Sequence, residues 1–193
     1  AVRLFRLASK SPGTRKLADR PTRFHVENMP DGNYILIPEV SSERRYYVPM
    51  GFMSPDTLCS DLVFLVPDAT RYHFGILTSL VHMAWMRAVC GRLETRYRYS
   101  KDIVYNNFPW PEASDGDKEK IGVLAQAILD ARALFPDCTL ADLYDQTTMP
   151  PELRKAHQEN DKAVMKLYGF PPNATEPEIV AELMRRYQEL TAH

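Results

Sequence analysis

The chain has 193 residues, 45% of them hydrophobic, and a net charge of −1. That is enough for one domain with a real core, or for a domain plus a small appendage. Cys59, Cys90 and Cys138 are odd in number and widely spaced, which excludes a disulfide framework and cysteine metal-ligand spacing and fits a reducing cytoplasm.

Charge is unevenly divided. Residues 1–110 carry 15 Lys+Arg against 10 Asp+Glu, and residues 111–193 carry 9 against 15. A sign change of this kind suggests two units with different jobs. The first 24 residues are the most basic, with Arg3, Arg6, Lys10, Arg15, Lys16, Arg20 and Arg23 against the single acid Asp19. Such an arm could neutralise phosphates; a solvated arm is the competing reading. Lys10, Arg15 and Lys16 surround the run Ser9-Lys10-Ser11-Pro12-Gly13 as a small cationic patch. The arginines near Ala1 leave no apolar stretch of signal-peptide length, and the abrupt opening on Ala1 suggests a fragment of something longer.

Residues 22–28, 33–40, 45–52 and 60–67 are short, rich in Val, Ile, Tyr or Phe, and bounded by turn formers. Each is predicted to be a strand. Asp31-Gly32 is a turn signal, since glycine tolerates positive φ. Pro38 and Pro49 point to strand ends or edges, because proline cannot donate to a ladder. Residues 71–90 are predicted to form one buried helix, apolar nearly all round and ended by Gly91. His73, His82 and Arg87 break its apolar run, so no membrane span is expected. Both histidines and Trp85 are expected to be packed core or boundary residues rather than ligands or a base-stacking platform.

Residues 106–117, with Pro109, Pro111, Ser114, Asp115 and Gly116, are predicted to be a domain boundary. Beyond it the pattern is helical. Ile121, Leu124, Ala125, Ile128 and Leu129 recur at helical spacing, as do Leu153, Ala156, His157, Ala163, Val164 and Leu167. Thr175-Glu176-Pro177-Glu178 forms a capping box that opens a last helix. Ile179, Val180, Leu183, Met184, Tyr187 and Leu190 are expected to face inward there.

Several catalytic elements are missing. No two glycines lie two apart, so no glycine-rich cofactor loop of the usual kind for S-adenosylmethionine or a dinucleotide is present. No lysine has an acid two residues before it, so the carboxylate-x-Lys element of magnesium-dependent nucleases is missing too. The histidines form no metal-binding pattern. Asn106-Asn107-Phe108-Pro109-Trp110 looks faintly like the Asn-Pro-Pro-Tyr loop of amino-methyltransferases, but Phe108 spoils the spacing. No catalytic residue is assigned.

The chemistry that is present suits DNA. Glu43, Arg44 and Arg45 sit between two strand-like segments. On a strand, Glu43 and Arg45 would share a face. An Arg donates two hydrogen bonds to guanine O6/N7, and a Glu accepts from cytosine N4. The competing reading is an exposed ion pair on a sheet edge. Arg92, Arg96, Arg98 and Lys101, interleaved with Tyr97 and Tyr99, suit a phosphate-tracking surface; a solvated helix end and loop is the alternative.

In this order the segments resemble the C-terminal portion of the MmeI-like type IIG restriction–modification enzymes. The matching segments begin with Ile37-Pro38-Glu39-Val40-Ser41-Ser42-Glu43-Arg44-Arg45-Tyr46-Tyr47-Val48-Pro49-Met50-Gly51-Phe52. They continue with Tyr72-His73-Phe74-Gly75-Ile76-Leu77-Thr78-Ser79 and His82-Met83-Ala84-Trp85-Met86-Arg87. Tyr97-Arg98-Tyr99-Ser100-Lys101-Asp102-Ile103-Val104-Tyr105-Asn106-Asn107-Phe108-Pro109-Trp110-Pro111 follows. Leu129-Asp130-Ala131-Arg132, Leu140-Ala141-Asp142-Leu143-Tyr144-Asp145 and Met149-Pro150-Pro151-Glu152-Leu153 extend the match into the helical tail.

The resemblance implies an α+β target-recognition domain at 1–111, with a small sheet and a buried helix, then an all-helical C-terminal domain at 112–193. It implies double-stranded DNA as partner; from the side-chain chemistry above, Glu43, Arg44 and Arg45 are expected to read bases and Lys10, Arg15, Lys16, Arg96, Arg98 and Lys101 to hold phosphates. Methyltransferase and nuclease domains would lie upstream in the same cytoplasmic parent. S-adenosylmethionine and Mg2+ are implied for that parent, with no ligands on this chain. The alternative left open is a helical protein-interaction module of a DNA-modifying complex.

Overall fold

The computed structural model describes residues 1–24 and 28–192, which divide into two compact units, Ala1–Asp31 and Gly32–His193. The first unit contains helices α1 (Val2–Leu7) and α2 (Pro12–Lys16) and a 3-10 turn at Leu17–Asp19. Ser11 caps α2, and Pro12 occupies a first-turn position where its missing N–H costs nothing. Arg6 ties the unit together, its guanidinium donating to the carbonyls of Leu17 at 2.9 Å, Arg20 at 2.6 Å and Arg23 at 2.5 Å. Residues 22–24 and 28 are not strand, contrary to expectation, and the rest of that stretch, 25–27, lies outside the described residues.

The second unit holds two three-stranded antiparallel sheets among the described residues. In one, β1 (Tyr34–Pro38) lies between β3 (Gly51–Met53) and β4 (Val63–Pro67), with Ile35 opposite both Phe52 and Val66. In the other, β6 (Arg96–Arg98) lies between β2 (Val40–Ser41) and β5 (Gly91–Leu93). Glu39 joins the sheets: its N–H donates to Leu62 O at 3.0 Å, and its carbonyl accepts from Tyr99 N–H at 2.8 Å.

The strand predicted over 45–52 begins only at Gly51. The chain must leave β2 in the second sheet and return to β3 in the first, so it cannot stay extended. It turns instead at residues 42–45, where Arg45 N–H donates to Ser42 O at 3.1 Å and Arg44 N–H to Ser42 Oγ at 3.2 Å. Pro38 ends β1 and Pro49 precedes β3, as the missing donors require. The chain bends at Asp31-Gly32, but Gly169 is the one described glycine with positive φ.

The helix predicted over 71–90 is two helices, α3 (Arg71–Leu77) and α4 (Leu80–Val89). Thr78 and Ser79 make the break. Their hydroxyls donate back to Phe74 O at 2.8 Å and Ile76 O at 2.7 Å, competing with the helical ladder. Ser79 Oγ then caps α4 by accepting His82 N–H. Cys90 is the cap at its other end, and Gly91 opens β5 instead of stopping a helix.

A π-helical turn, Lys101–Tyr105, leads to the proline-rich segment and then to helices α5 (Asp115–Ala133), α6 (Leu140–Leu143), α7 (Pro151–Tyr168) and α8 (Glu176–Thr191). The expected capping box is present: Glu178 Oε2 accepts from Thr175 N–H at 2.7 Å and from Thr175 Oγ1 at 2.8 Å. Ile179 and Leu183 of α8 are fully buried, but Leu190 is exposed in its last turn. Helix α5 packs on α3 and α7, and α8 packs on α4, so one hydrophobic core runs from β1 through α4 to α8. The fold is α+β with a helical C-terminal region.

Candidate nucleic-acid interface

The turn after β2 places Glu43 and Arg44 exposed and Arg45 half-buried. Because they occupy a turn, the expectation that Glu43 and Arg45 share a strand face is corrected; the crossing between sheets removes the strand. All three still line one shallow cavity of about 250 Å³, with Tyr46, Arg87, Tyr97, Gln146 and Glu176 around them. Asp145 stands close by. Its carboxyl is held below the usual range, first by the Thr147 hydroxyl and backbone N–H and to a lesser degree by Arg44 and Arg45.

The base of the turn is anchored twice. Arg87 of α4 donates to both Glu176 carboxylate oxygens, at 3.0 and 2.6 Å, and to Tyr46 O at 3.0 Å. Tyr47 OH donates to Asp161 Oδ2 at 2.5 Å, and its ring stacks on His157 at 4.0 Å. Asp161 Oδ1 accepts Leu80 N–H at 2.6 Å, so the same carboxylate serves the first turn of α4. Burial pushes the Asp161 pKa up to about 6, against the opposing pull of these two hydrogen bonds and of Arg87.

The β5–β6 hairpin stands beside the turn, since Val40 pairs with Arg98 and Ser41 with Tyr97. Tyr97 is buried, so Arg96 and Arg98, on either side of it, share the opposite and exposed face. Arg96 donates to Glu94 at 2.7 Å, and Arg92 lies over the Tyr97 ring at 4.1 Å. Lys101 is exposed and lines a separate cavity of about 350 Å³ with β4 and Tyr105. The structure therefore brings Glu43, Arg44 and Arg45 together at one cavity, places Arg96 and Arg98 on the neighbouring strand's exposed face, and sets Lys101 against the other sheet. In the first unit, Lys10 and Lys16 are exposed. Arg15 is exposed too, and one of its guanidinium nitrogens donates to Ser9 O at 2.8 Å and Lys10 O at 3.0 Å.

Other sequence candidates resolve as structure. The Pro109 carbonyl accepts from Tyr168 OH at 2.8 Å, and Phe108 is buried, so this stretch offers no open pair of acceptors for an amino group. His73 Nδ1 accepts Thr70 N–H at 3.0 Å as a helix cap. His82 is fully buried with Nε2 3.0 Å from Tyr99 OH, and burial pushes its pKa down to about 3. Trp85 is core, its Nε1 donating to Val104 O at 2.9 Å. Among the described residues no group of three His, Cys, Asp or Glu side chains could hold a metal ion.

The sequence reading missed Tyr46, Arg87, Gln146 and Glu176 as parts of this site. Arg87 does carry a signal: it is a cation inside an otherwise apolar stretch.

Comparison with known proteins covers both halves of the chain. The family described as MmeI, target recognition domain, matches residues 1–112, and that described as MmeI, C-terminal domain, matches residues 113–193. DNA methyltransferase A of Bacillus subtilis (strain 168) is 42% identical over 183 residues, covering 95% of this chain and 21% of that protein. The solved structure of the type IIL restriction–modification enzyme MmeI in complex with DNA superposes with a TM-score of 0.90 at 45% identity, over 100% of this chain and 26% of that one. The chain thus spans about a fifth to a quarter of the relatives it matches. It belongs to the MmeI family, of which it comprises the target recognition domain and the C-terminal domain.

Proposed function

We propose that this chain is the module that reads the DNA sequence for a restriction–modification enzyme of the MmeI family. The observation that carries the reading is the full-length likeness to a chain solved in complex with DNA. The geometry supports it, because a surface turn with Glu43, Arg44 and Arg45 adjoins the β6 strand, which carries two exposed arginines. Glu43, Arg44 and Arg45 contact base edges, where Arg matches guanine and Glu matches cytosine. Arg96, Arg98, Lys101, Lys10, Arg15 and Lys16 contact phosphates, which position the protein without reading sequence. Residues 1–111 form the recognition domain and 112–193 the helical domain.

The parent carries methyltransferase and nuclease domains in the same chain, uses S-adenosylmethionine and Mg2+, and works in the cytoplasm. No helix among the described residues is long and apolar enough to cross a membrane.

The test is a double exchange, Glu43→Arg with Arg45→Glu, in the full-length protein. Affinity is measured on duplexes that differ at each position of the preferred site. The exchange should change which base pair is preferred at one position, with discrimination of about 1–3 kcal/mol there. An unchanged preference at every position would remove these residues from base readout.

A further inference from the structure

We infer that Asp161 and Glu176, both in the C-terminal helical region, are specificity-determining residues that act by fixing the shape of the Glu43–Arg45 turn. The inference rests on the base-reading role proposed above and deepens it. Both carboxylates are engaged within the protein. Asp161 is 6% exposed and buried behind Tyr47. Glu176 spends both its oxygens on Arg87.

Their partners, however, are the residues that end the turn. Glu176 orients the Arg87 guanidinium, which holds the Tyr46 carbonyl at 3.0 Å and sits 5.4 Å from the Tyr46 ring centroid. Asp161 holds the Tyr47 hydroxyl at 2.5 Å. Two consecutive residues, immediately after Arg45, are therefore clamped from two different helices, α8 and α7. On the other side the turn is fixed by β2, through the pairing of Ser41 with Tyr97. A turn clamped at both ends presents its side chains in one geometry.

Bidentate base readout demands that kind of preorganisation, because an arginine fork displaced by about 1 Å loses its match to guanine O6/N7. Phosphate contacts tolerate such displacement, since they depend mainly on charge. Loss of the clamp should therefore cost discrimination rather than general affinity.

The two anchors also differ in kind. Asp161 is a deep, packed contact shared with the N–H of Leu80. The Arg87–Glu176 pair is more open, with side-chain exposures of 16% and 38%. The shallow pair can thus be altered with little effect on the core, and the deep one through its hydroxyl partner.

The experiment uses the full-length protein with Tyr47→Phe, with Glu176→Gln, and with both. Tyr47→Phe removes one hydroxyl from the deep anchor and keeps the ring stacked on His157. Equilibrium binding is measured on the preferred duplex and on a duplex changed at the position read by Glu43 and Arg45. The combined variant should lose about tenfold in the ratio of the two affinities, comparable to one base contact, while affinity for unrelated duplex stays unchanged. In the background of Glu43→Ala with Arg45→Ala the same pair of changes should have no further effect on that ratio, because the clamp acts through those side chains.

An equal loss on all duplexes would assign Tyr47 and Glu176 to structure alone and overturn the inference. So would full discrimination in the combined variant. If exchanging Glu43 and Arg45 leaves base preference intact, the base-reading role itself falls, an outcome distinct from both.

Discussion

At the scale of single residues, the buried histidines make this fold sensitive to acid. Burial pushes the His82 and His157 pKa values down to about 3, from an ordinary value near 6.5. The unfolded chain therefore binds more protons than the folded one between about pH 3 and 6.5. Stability is complete above that window and is lost as pH falls through it. Asp161 acts in the opposite sense. Its pKa, pushed up to about 6, makes the folded state the better proton binder between about pH 4 and 6. Two histidines against one carboxyl leave acid destabilisation as the net result. Denaturant unfolding at pH 7 and pH 5 should show lower stability at pH 5, by up to about 1.4 kcal/mol per pH unit for each uncompensated proton. Equal or greater stability at pH 5 would mean that the histidines are not held neutral in the fold.

Lys101 gives a second prediction at this scale. Lys101→Ala should weaken binding to cognate and unrelated duplexes alike and lower the salt slope by about 1. Weakening confined to the cognate site would show that Lys101 reads sequence.

Among the elements, the contact between α3 and α5 is the tightest to modify. A Cβ added at Gly75 would lie 2.5 Å from Ile121 Cγ2 and 3.1 Å from Asn160 Oδ1. The Gly75 carbonyl also accepts from Asn160 Nδ2 at 2.8 Å. Gly75→Ala should therefore destabilise by about 1–3 kcal/mol through overpacking, even though alanine is the better helix former. Thermal unfolding would show this as a lower Tm, and an unchanged or raised Tm would mean that the two helices can separate without cost.

The same elements show what a sequence can reveal and what it cannot. Residues 33–40 and 60–67 contain strands, and the periodicity beyond residue 117 gives helices, because local composition and hydrophobic spacing agree with the fold there. The split at Thr78-Ser79 escaped notice because hydroxyl side chains compete with the ladder locally while the hydrophobic pattern runs on unbroken. The strand expected over 45–52 is shortened to begin at Gly51, since β-rich composition at Tyr46-Tyr47-Val48 does not reveal a crossing between two sheets. Leu190 fits the inward pattern of α8, but the helix outruns its neighbours there. Of the interface, the charged residues were visible as local runs. Their anchors are distant in sequence, Asp161 lying 114 residues from Tyr47 and Glu176 89 residues from Arg87, and only the fold brings these pairs together.

At the scale of the whole molecule, the charge asymmetry acquires a physical sense. The positive half holds the turn and the hairpin, and the acidic half supplies the carboxylates that hold them. Helices α7 and α8 supply that support from beneath the cationic surface, and their hydrophobic core is continuous with that of the sheets. On the proposed reading, a module of this build separates the residues that would meet DNA from those that keep them in position.

The central claim, that this chain sets a DNA sequence preference for its parent, is tested most directly in the source genome. Methyl-adenine is mapped at single-base resolution with the parent gene intact, with it deleted, and with Glu43 and Arg45 exchanged. The account predicts that methylation at one short motif disappears on deletion and reappears at a motif altered at a single base pair on exchange. Loss on deletion with no change of motif on exchange would contradict base reading by this turn. If no motif depended on the gene, that would contradict sequence recognition by the chain.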